Sequence, residues 1–261
     1  MKNKANGFHV PSRRFLNPPA NTEARRTNSG RPLQGIDLSI VIPSFNTKKL
    51  LANCLKSIKP SYNNKYNVET VVVDNASSDG SVEMLKNKFS SNTLIFNKEN
   101  LGFAKASNIG WNKARGKYIL FLNSDTVLAK DDLFNVLKYI YSNENQLGAL
   151  SGKLILRNGK PDPDCHRGFP TPWSSVTFFL GLEKLFPKSR LFAQYHQGWK
   201  DVNQIHEIDA GCGAFLVVKK SLLKKLHGFD EDYFFYGEDI DLCYRIKQLH
   251  LKIIYFPLHN C

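Results

Sequence analysis

From residue 38 onward the chain alternates two hydrophobic patterns. LSIVI at 38–42 is a short unbroken apolar run, which Pro43 is expected to stop. Leu50, Leu51, Cys54, Leu55 and Ile58 then recur at helical spacing. VETVVV at 68–73 predicts a second strand and leads into the turn-rich DNASSDGS. Val82, Leu85 and Phe89 mark a short helix, and TLIF at 93–96 a third strand. The stretch 103–114 reads as a helix weakened by Gly110. YILFL at 118–122 predicts a fourth strand, and 131–141 a helix with acids in its first turn, where the helix dipole favours them. Past residue 151 the regularity fades. Residues 157–210 are rich in Pro, Gly, His and aromatics and predict a long, partly irregular insertion able to shape an acceptor groove. Regularity returns with GAFLVV at 213–218, helices at 221–226 and 239–249, and the strand KIIYF at 252–256.

Strands alternating with helices predict an α/β fold. The expected architecture is a Rossmann-like, mostly parallel sheet with helices on both faces. Ligands bind such sheets at the carboxyl ends of the strands. There the sequence places its polar clusters, Asp74-Asn75 after the second strand and Asn123-Ser124-Asp125 after the fourth.

Residues 1–35 lack this periodicity and read as a disordered basic arm, with seven Lys and Arg against Glu23. They supply part of a formal net charge of +13. The remainder, 36–261, reads as one domain with a nucleotide-binding half (36–150) and an acceptor-binding, catalytic half (151–261). A basic balance suits nucleic acid, anionic lipid or phosphorylated substrates. No nucleic-acid-reading motif is present, so that partner is set aside. The five cysteines include no C-x-x-C pair, which argues against zinc and, with the odd count, against a disulfide framework. Free thiols favour the cytoplasm. No apolar run approaches the ~20 residues of a membrane helix, the nearest being 176–186. Membrane contact is therefore expected to be peripheral, at the inner face of an anionic membrane.

Asp125, at a strand's exposed end, is a natural oxygen ligand for Mg²⁺ or Mn²⁺, although an aspartate there can also cap a turn. Asp74 has the same placement one strand earlier and can accept hydrogen bonds from a ribose or base. Gly237-Glu238-Asp239-Ile240-Asp241 opens a helix. At ~100° per residue Asp239 and Asp241 point about 200° apart, so both cannot serve one small site. Asp241 stands four before Arg245 and is expected to pair with it. Asp239 is the candidate base, with Glu238 its competitor. His259 can complete a metal site, or do nothing. Tyr236, at the end of an aromatic cluster, can stack on a sugar or belong to the core. Gly211-Cys212-Gly213 suggests close backbone approach to a ligand or neighbour.

Taken together, SIVIPSFNTKKLLANCLKSI, VVVDNASSDGS, NKENLGFAKASNIGWNKARGKYILFLNSD, DAGCGAFLVVKK and GFDEDYFFYGEDIDLCYRIKQLHLKIIYFPLH resemble glycosyltransferase family 2, the inverting GT-A fold enzymes, and within it a rhamnosyltransferase-like branch. The resemblance spans residues 38 to 259. It implies that Asp74 and Asn75 contact the nucleoside and that Pro43, Ser44, Phe45 and Asn46 pack around the base. Asn100, Gly102, Phe103 and Asn108 would line the donor pocket. Asn123, Ser124 and Asp125 would stand as the DxD-type motif, with Asp125 and His259 holding the metal. Asp239 would be the base. Gly211, Cys212, Gly213, Tyr236 and Glu238 are acceptor-side candidates. The implied donor is a nucleoside diphosphate sugar, dTDP-rhamnose by branch, and the implied acceptor a cell-surface polysaccharide or lipid-linked glycan precursor. Family members usually continue past the position of His259, so a trimmed carboxyl end is also expected. Two other readings remain at this stage: a non-catalytic nucleotide-sugar or polyanion binder, and a glycoside hydrolase with paired carboxylates.

Overall fold

A computed structural model describes residues 35–62 and 65–258. Eight strands form one sheet: β1 Leu38–Ser44, β2 Val68–Asp74, β3 Thr93–Phe96, β4 Tyr118–Leu122, β5 Leu147–Gly152, β6 His206–Ile208, β7 Phe215–Lys219 and β8 Lys252–Phe256. Their order is β3-β2-β1-β4-β7-β5-β8-β6. β3, β2, β1 and β4 are mutually parallel, and β5 is parallel to β8. β7 runs antiparallel between β4 and β5, and β6 antiparallel beside β8. The helices are α1 Lys48–Ile58, α2 Ser81–Lys88, α3 Gly102–Lys113, α4 Asp132–Ser142, α5 Pro172–Phe179, α6 Leu182–Leu185, α7 Lys220–Leu226 and α8 Glu238–Lys247.

The unbroken apolar strands are buried as their composition requires: Ile40, Val41, Ile42, Val72, Val73, Leu120 and Phe121 are fully inaccessible. Each such side chain contributes about 1.5–3 kcal/mol relative to exposure. The alternation of strand and helix through α4 matches the sequence reading to within a residue or two at most boundaries. Pro43 is the exception. The strand continues through it to Ser44, because the ladder to β4 ends at Val41 and only β2 pairs further on. A residue without an N–H breaks nothing at that unpaired side.

β5 escaped the sequence reading, since LGALSG lacks β-branched residues and carries two glycines. The segment 157–210 is more regular than expected. It holds α5, α6 and β6, and α5 starts at a capping box formed by Thr171 and Ser174.

Candidate functional site

The sheet places the polar clusters side by side at one edge. β1 and β2 end in register at Ser44 and Asp74, and β4 ends beside the start of β7, with Leu122 opposite Phe215. Asn123–Asp125 therefore adjoins Cys212–Ala214, and the Asn123 N–H donates to the Ala214 carbonyl at 3.1 Å. A chain of hydroxyls ties the strand ends together: Ser44 Oγ and Thr47 Oγ1 are 2.9 Å apart, and Thr47 Oγ1 donates to Ser124 Oγ at 2.9 Å.

On the β1–β2 side, Asp74 is fully buried. Its Oδ1 accepts the Ser77 N–H at 2.9 Å, while its Oδ2 has no hydrogen-bond partner among the described residues. A buried acceptor without a partner costs roughly 1–3 kcal/mol, which a donor from a ligand or a water would relieve. Neighbouring loops are fixed around it. Asn46, at φ 52, donates its N–H to Ser77 Oγ at 2.9 Å and accepts the Ser78 N–H at 2.8 Å. Asn75 donates to the Gly102 carbonyl and accepts from Asn97. Asn100 Oδ1 accepts the Gly102 N–H at 3.0 Å. Phe45 is half-exposed. Gly102 has φ 78, and a Cβ there would strike the Phe234 backbone, which accepts the Phe103 N–H at 3.0 Å.

Asn108 is a correction to the expected donor pocket. Its Nδ2 donates to the Phe229 carbonyl and to Glu231, and its Oδ1 accepts from Trp111 and Phe229. All its polar capacity is spent inside the protein, so it clamps α3 to the 229–231 segment rather than facing a ligand.

Asp125 lies exposed on the wall of a cavity of about 950 Å³ that Asn123, Ala214, Arg157 and Asp162 also line. Its carboxylate makes no hydrogen bond or ion pair among the described residues. Its charge is felt next door: burial, and secondarily Asp125, push the Cys54 thiol up to about 12. Among the described residues no three His, Cys, Asp or Glu side chains gather in a metal-binding group. One open carboxylate fits a hard cation that takes its other ligands from phosphate oxygens and water. His259 lies outside the described residues. Two smaller cavities, of about 400 and 380 Å³, sit at the opposite edge, by the starting residues of β5, β8, β2 and β3.

The carboxylate pair of α8 is linked to this cavity through Gly213, which bonds Asp239 and precedes the lining residue Ala214. Asp239 Oδ2 accepts from Arg167 Nη2 at 2.8 Å and from the Gly213 N–H at 3.0 Å, while Oδ1 accepts the Ile240 N–H at 2.8 Å. Gly213 is wedged between Phe103 and Asp239, where a Cβ would lie 3.3 Å from the ring and 3.7 Å from the aspartate Cβ. Gly211 passes its carbonyl to Arg167 at 2.9 Å, and the Cys212 N–H donates to Ser151 Oγ. The triplet Gly211-Cys212-Gly213 thus makes its close approach to neighbouring protein groups. Asp241 pairs with Arg245 through contacts of 2.6 and 2.8 Å, as its spacing predicted.

Arg167 was not visible from the sequence, because its partner lies 72 residues away. It sits on a short bridge with Ala210, is buried, and holds Asp239 from the insertion. Burial works most strongly, to lower its pKa, but the Asp239 carboxylate together with Cys212, Asp164 and Tyr195 holds the guanidinium above its ordinary value.

Glu238 is buried too, with Oε2 lacking a hydrogen-bond partner among the described residues. Burial pushes its carboxyl from 4.5 up to about 7, with backbone N–H groups offsetting part and the charge of Asp239 adding to the rise. Tyr236 stands 80% exposed at φ 70, immediately before Gly237 at φ 93. The raised value gives a pH signature. The folded state holds the Glu238 proton more tightly than the unfolded chain, so its contribution is present below 4.5 and is lost as pH rises through about 7. Glu238→Gln is expected to flatten the decline in stability across that window, read by urea unfolding at stepped pH. An unchanged slope would mean that Glu238 titrates normally.

A mixed sheet of this order is that of the GT-A fold. The mannosyltransferase PcManGT from Pyrobaculum calidifontis, solved with GDP-Man and Mn²⁺, shares the fold at a TM-score of 0.60 and 20% identity, covering 86% of this chain and 56% of that one. TarS from S. aureus matches at 0.60 and 19% identity, covering 86% of this chain and 36% of that one. In sequence, the profile of glycosyl transferase family 2 matches residues 39–199, and that of the N-terminal domain of galactosyltransferase matches 194–260. The chain belongs to glycosyl transferase family 2. It is 31% identical to the rhamnosyltransferase WbbL of Escherichia coli over 166 residues, 60% of this chain and 58% of that protein. To a poly(ribitol-phosphate) beta-glucosyltransferase of Bacillus spizizenii it is 34% identical over 234 residues, 85% of this chain and 34% of that protein. The chain thus matches 58% or less of either relative's length. No helix among the described residues is long and apolar enough to cross a membrane.

Proposed function

We propose that the protein transfers a sugar, with inversion, from a nucleoside diphosphate to an acceptor hydroxyl of a cell-surface glycan or its lipid-linked precursor. The observation that carries this reading is the gathering of Asp74, Asp125 and Asp239 at one sheet edge, Asp125 exposed and Asp74 with a buried oxygen that has no partner among the described residues. The open Oδ2 of Asp74 is the acceptor for a base or ribose group. Asn46, Asn75 and Asn100 brace the loops around it. Asp125, with His259, would hold Mg²⁺ or Mn²⁺, which supplies charge neutralisation at the diphosphate. Phe45, half-exposed at the same strand edge, offers an aromatic face to the base. Asp239 takes the proton of the acceptor hydroxyl as its oxygen bonds to the anomeric carbon and the bond to the nucleoside diphosphate breaks. Its Oδ1 accepts one N–H only and keeps a lone pair for that proton. Arg167 and Gly213 fix its other oxygen.

Glu238 supports a second assignment of the base, because its unpartnered oxygen and value near 7 suit proton transfer at neutral pH. The likeness to the rhamnosyltransferase WbbL supports a rhamnosyl donor such as dTDP-rhamnose, and the likeness to the poly(ribitol-phosphate) beta-glucosyltransferase supports a glucosyl donor and a poly(ribitol-phosphate) acceptor.

Thermal-shift screening of dTDP-rhamnose, UDP-glucose and GDP-mannose, with and without Mn²⁺, tests the reading. A donor at about 100 times its Kd should add about 2.7 kcal/mol to apparent stability. Asp125→Asn should abolish the Mn²⁺-dependent part of the shift and leave the apo melting temperature unchanged, since the carboxylate has no partner to lose. A Mn²⁺ effect that survived in Asp125→Asn would remove Asp125 from the cation site.

A further inference from the structure

The segment 172–191 inverts the rule by which a surface helix folds. A helix lying on a water-exposed domain turns large apolar side chains inward and polar ones outward. α5 instead buries Ser174 and Thr177. It presents Trp173, Val176, Phe178 and Phe179 to solvent, Phe179 at 83% exposure. Leu180, at 70%, extends this surface, and Leu185, Phe186 and Leu191 add to it.

The orientation is pinned by polar contacts. Thr171 and Ser174 close the capping box, Thr177 Oγ1 donates to the Ser174 carbonyl at 3.1 Å, and Trp173 Nε1 donates to the Leu191 carbonyl at 2.8 Å. Glu183 turns inward and accepts the His196 N–H at 3.0 Å. The capping box and the Thr177 bond turn with the helix; the Trp173–Leu191 bond ties α5 to the chain beyond α6 and would break if α5 rotated to hide its apolar side.

The charges beside this surface are of one sign. Lys184, Lys188 and Arg190 are exposed and form no ion pair among the described residues, and the segment's one acid, Glu183, is buried. A second copy of the same surface would set cation against cation. Exposed aromatic and aliphatic side chains rimmed by Lys and Arg are the composition of an element that enters the boundary between lipid headgroups and acyl chains.

We propose that α5, α6 and the loop reaching Leu191 dock the protein on an anionic lipid bilayer. The apolar side chains enter the interface, and Lys184, Lys188 and Arg190 meet the headgroups. The element is tied to the site: Phe169 packs its ring 5.5 Å from Tyr244 of α8, the helix that carries Asp239. Docking would hold the acceptor side of the site against the membrane. That consequence rests on the transferase reading; the docking itself does not.

The test is flotation of the full chain with vesicles of phosphatidylcholine alone or with about 30 mol% phosphatidylglycerol, paired with quenching of Trp173 by brominated lipid. Wild type should float with the anionic vesicles and be quenched. Phe179→Ser/Leu180→Ser should lower the partition coefficient at least about tenfold at equal charge. Lys184→Glu/Lys188→Glu/Arg190→Glu should lower it comparably and remove its salt sensitivity. The altered side chains are exposed, so unchanged circular dichroism and melting temperature are expected and confirm that each variant is folded. No flotation of wild type would overturn the proposal. So would equal flotation of the apolar variant, which would leave attraction to charge elsewhere on the chain as the cause. Self-association that disappears in Phe179→Ser/Leu180→Ser, without vesicle binding, would assign the surface to a protein contact instead. None of these outcomes depends on finding the sugar donor.

Discussion

Asp239→Asn is expected to slow sugar transfer by about 10²–10⁴-fold while leaving nucleotide-sugar binding near that of wild type. In the proposed reading donor contacts come from the β1–β2 side, whereas Asp239 stands on α8, so the two measurements separate. Turnover is read as release of nucleoside diphosphate with a donor found by the thermal-shift screen, and binding as the donor-induced shift. Both are taken at a temperature where the variant is fully folded, because Asp239 also anchors Arg167. Turnover within a factor of a few of wild type would dismiss Asp239 as base. If Glu238→Gln then showed the large loss, the role would pass to Glu238, whose carboxyl already stands near 7.

The second large effect is on stability. Arg167→Met leaves Asp239 buried beside Glu238 without its cation, and breaking a buried pair by removing one partner costs about 3–5 kcal/mol. Arg167→Met/Asp239→Asn removes both charges and should recover much of that loss, as replacing a whole buried pair often does. Urea unfolding of the four proteins gives the coupling energy directly. A loss under about 1 kcal/mol in Arg167→Met would show that water screens the pair after all.

Local pattern carried the first half of the fold. β1 to β4 are continuous apolar runs, and α1 repeats its apolar residues on one face, so each element declares itself within its own residues. The same locality explains Asp74 and Asp125, since a carboxylate directly after a strand sits at that strand's end. It fails where partners are distant. Arg167 lies in a stretch without periodicity, and only the approach of Ala210 and α8 gives it a role. The sole local hint was an arginine in the His-Arg-Gly-Phe-Pro run of the insertion. Asn108 misled for the opposite reason: a polar residue near the candidate pocket turned out to have every hydrogen-bonding group occupied by Phe229, Glu231 and Trp111. α5 hid because its outward side is apolar, which periodicity reads as core.

The aspartate proposed to take the acceptor's proton is steadied by a guanidinium that belongs to the 157–210 segment, far from it in sequence. Retargeting such an enzyme by grafting a foreign 157–210 segment would therefore disturb proton transfer along with recognition. A graft keeping Arg167 and its bridge to Ala210 should alter which alcohol is chosen. One lacking them should yield a protein that binds its nucleotide sugar and does nothing with it.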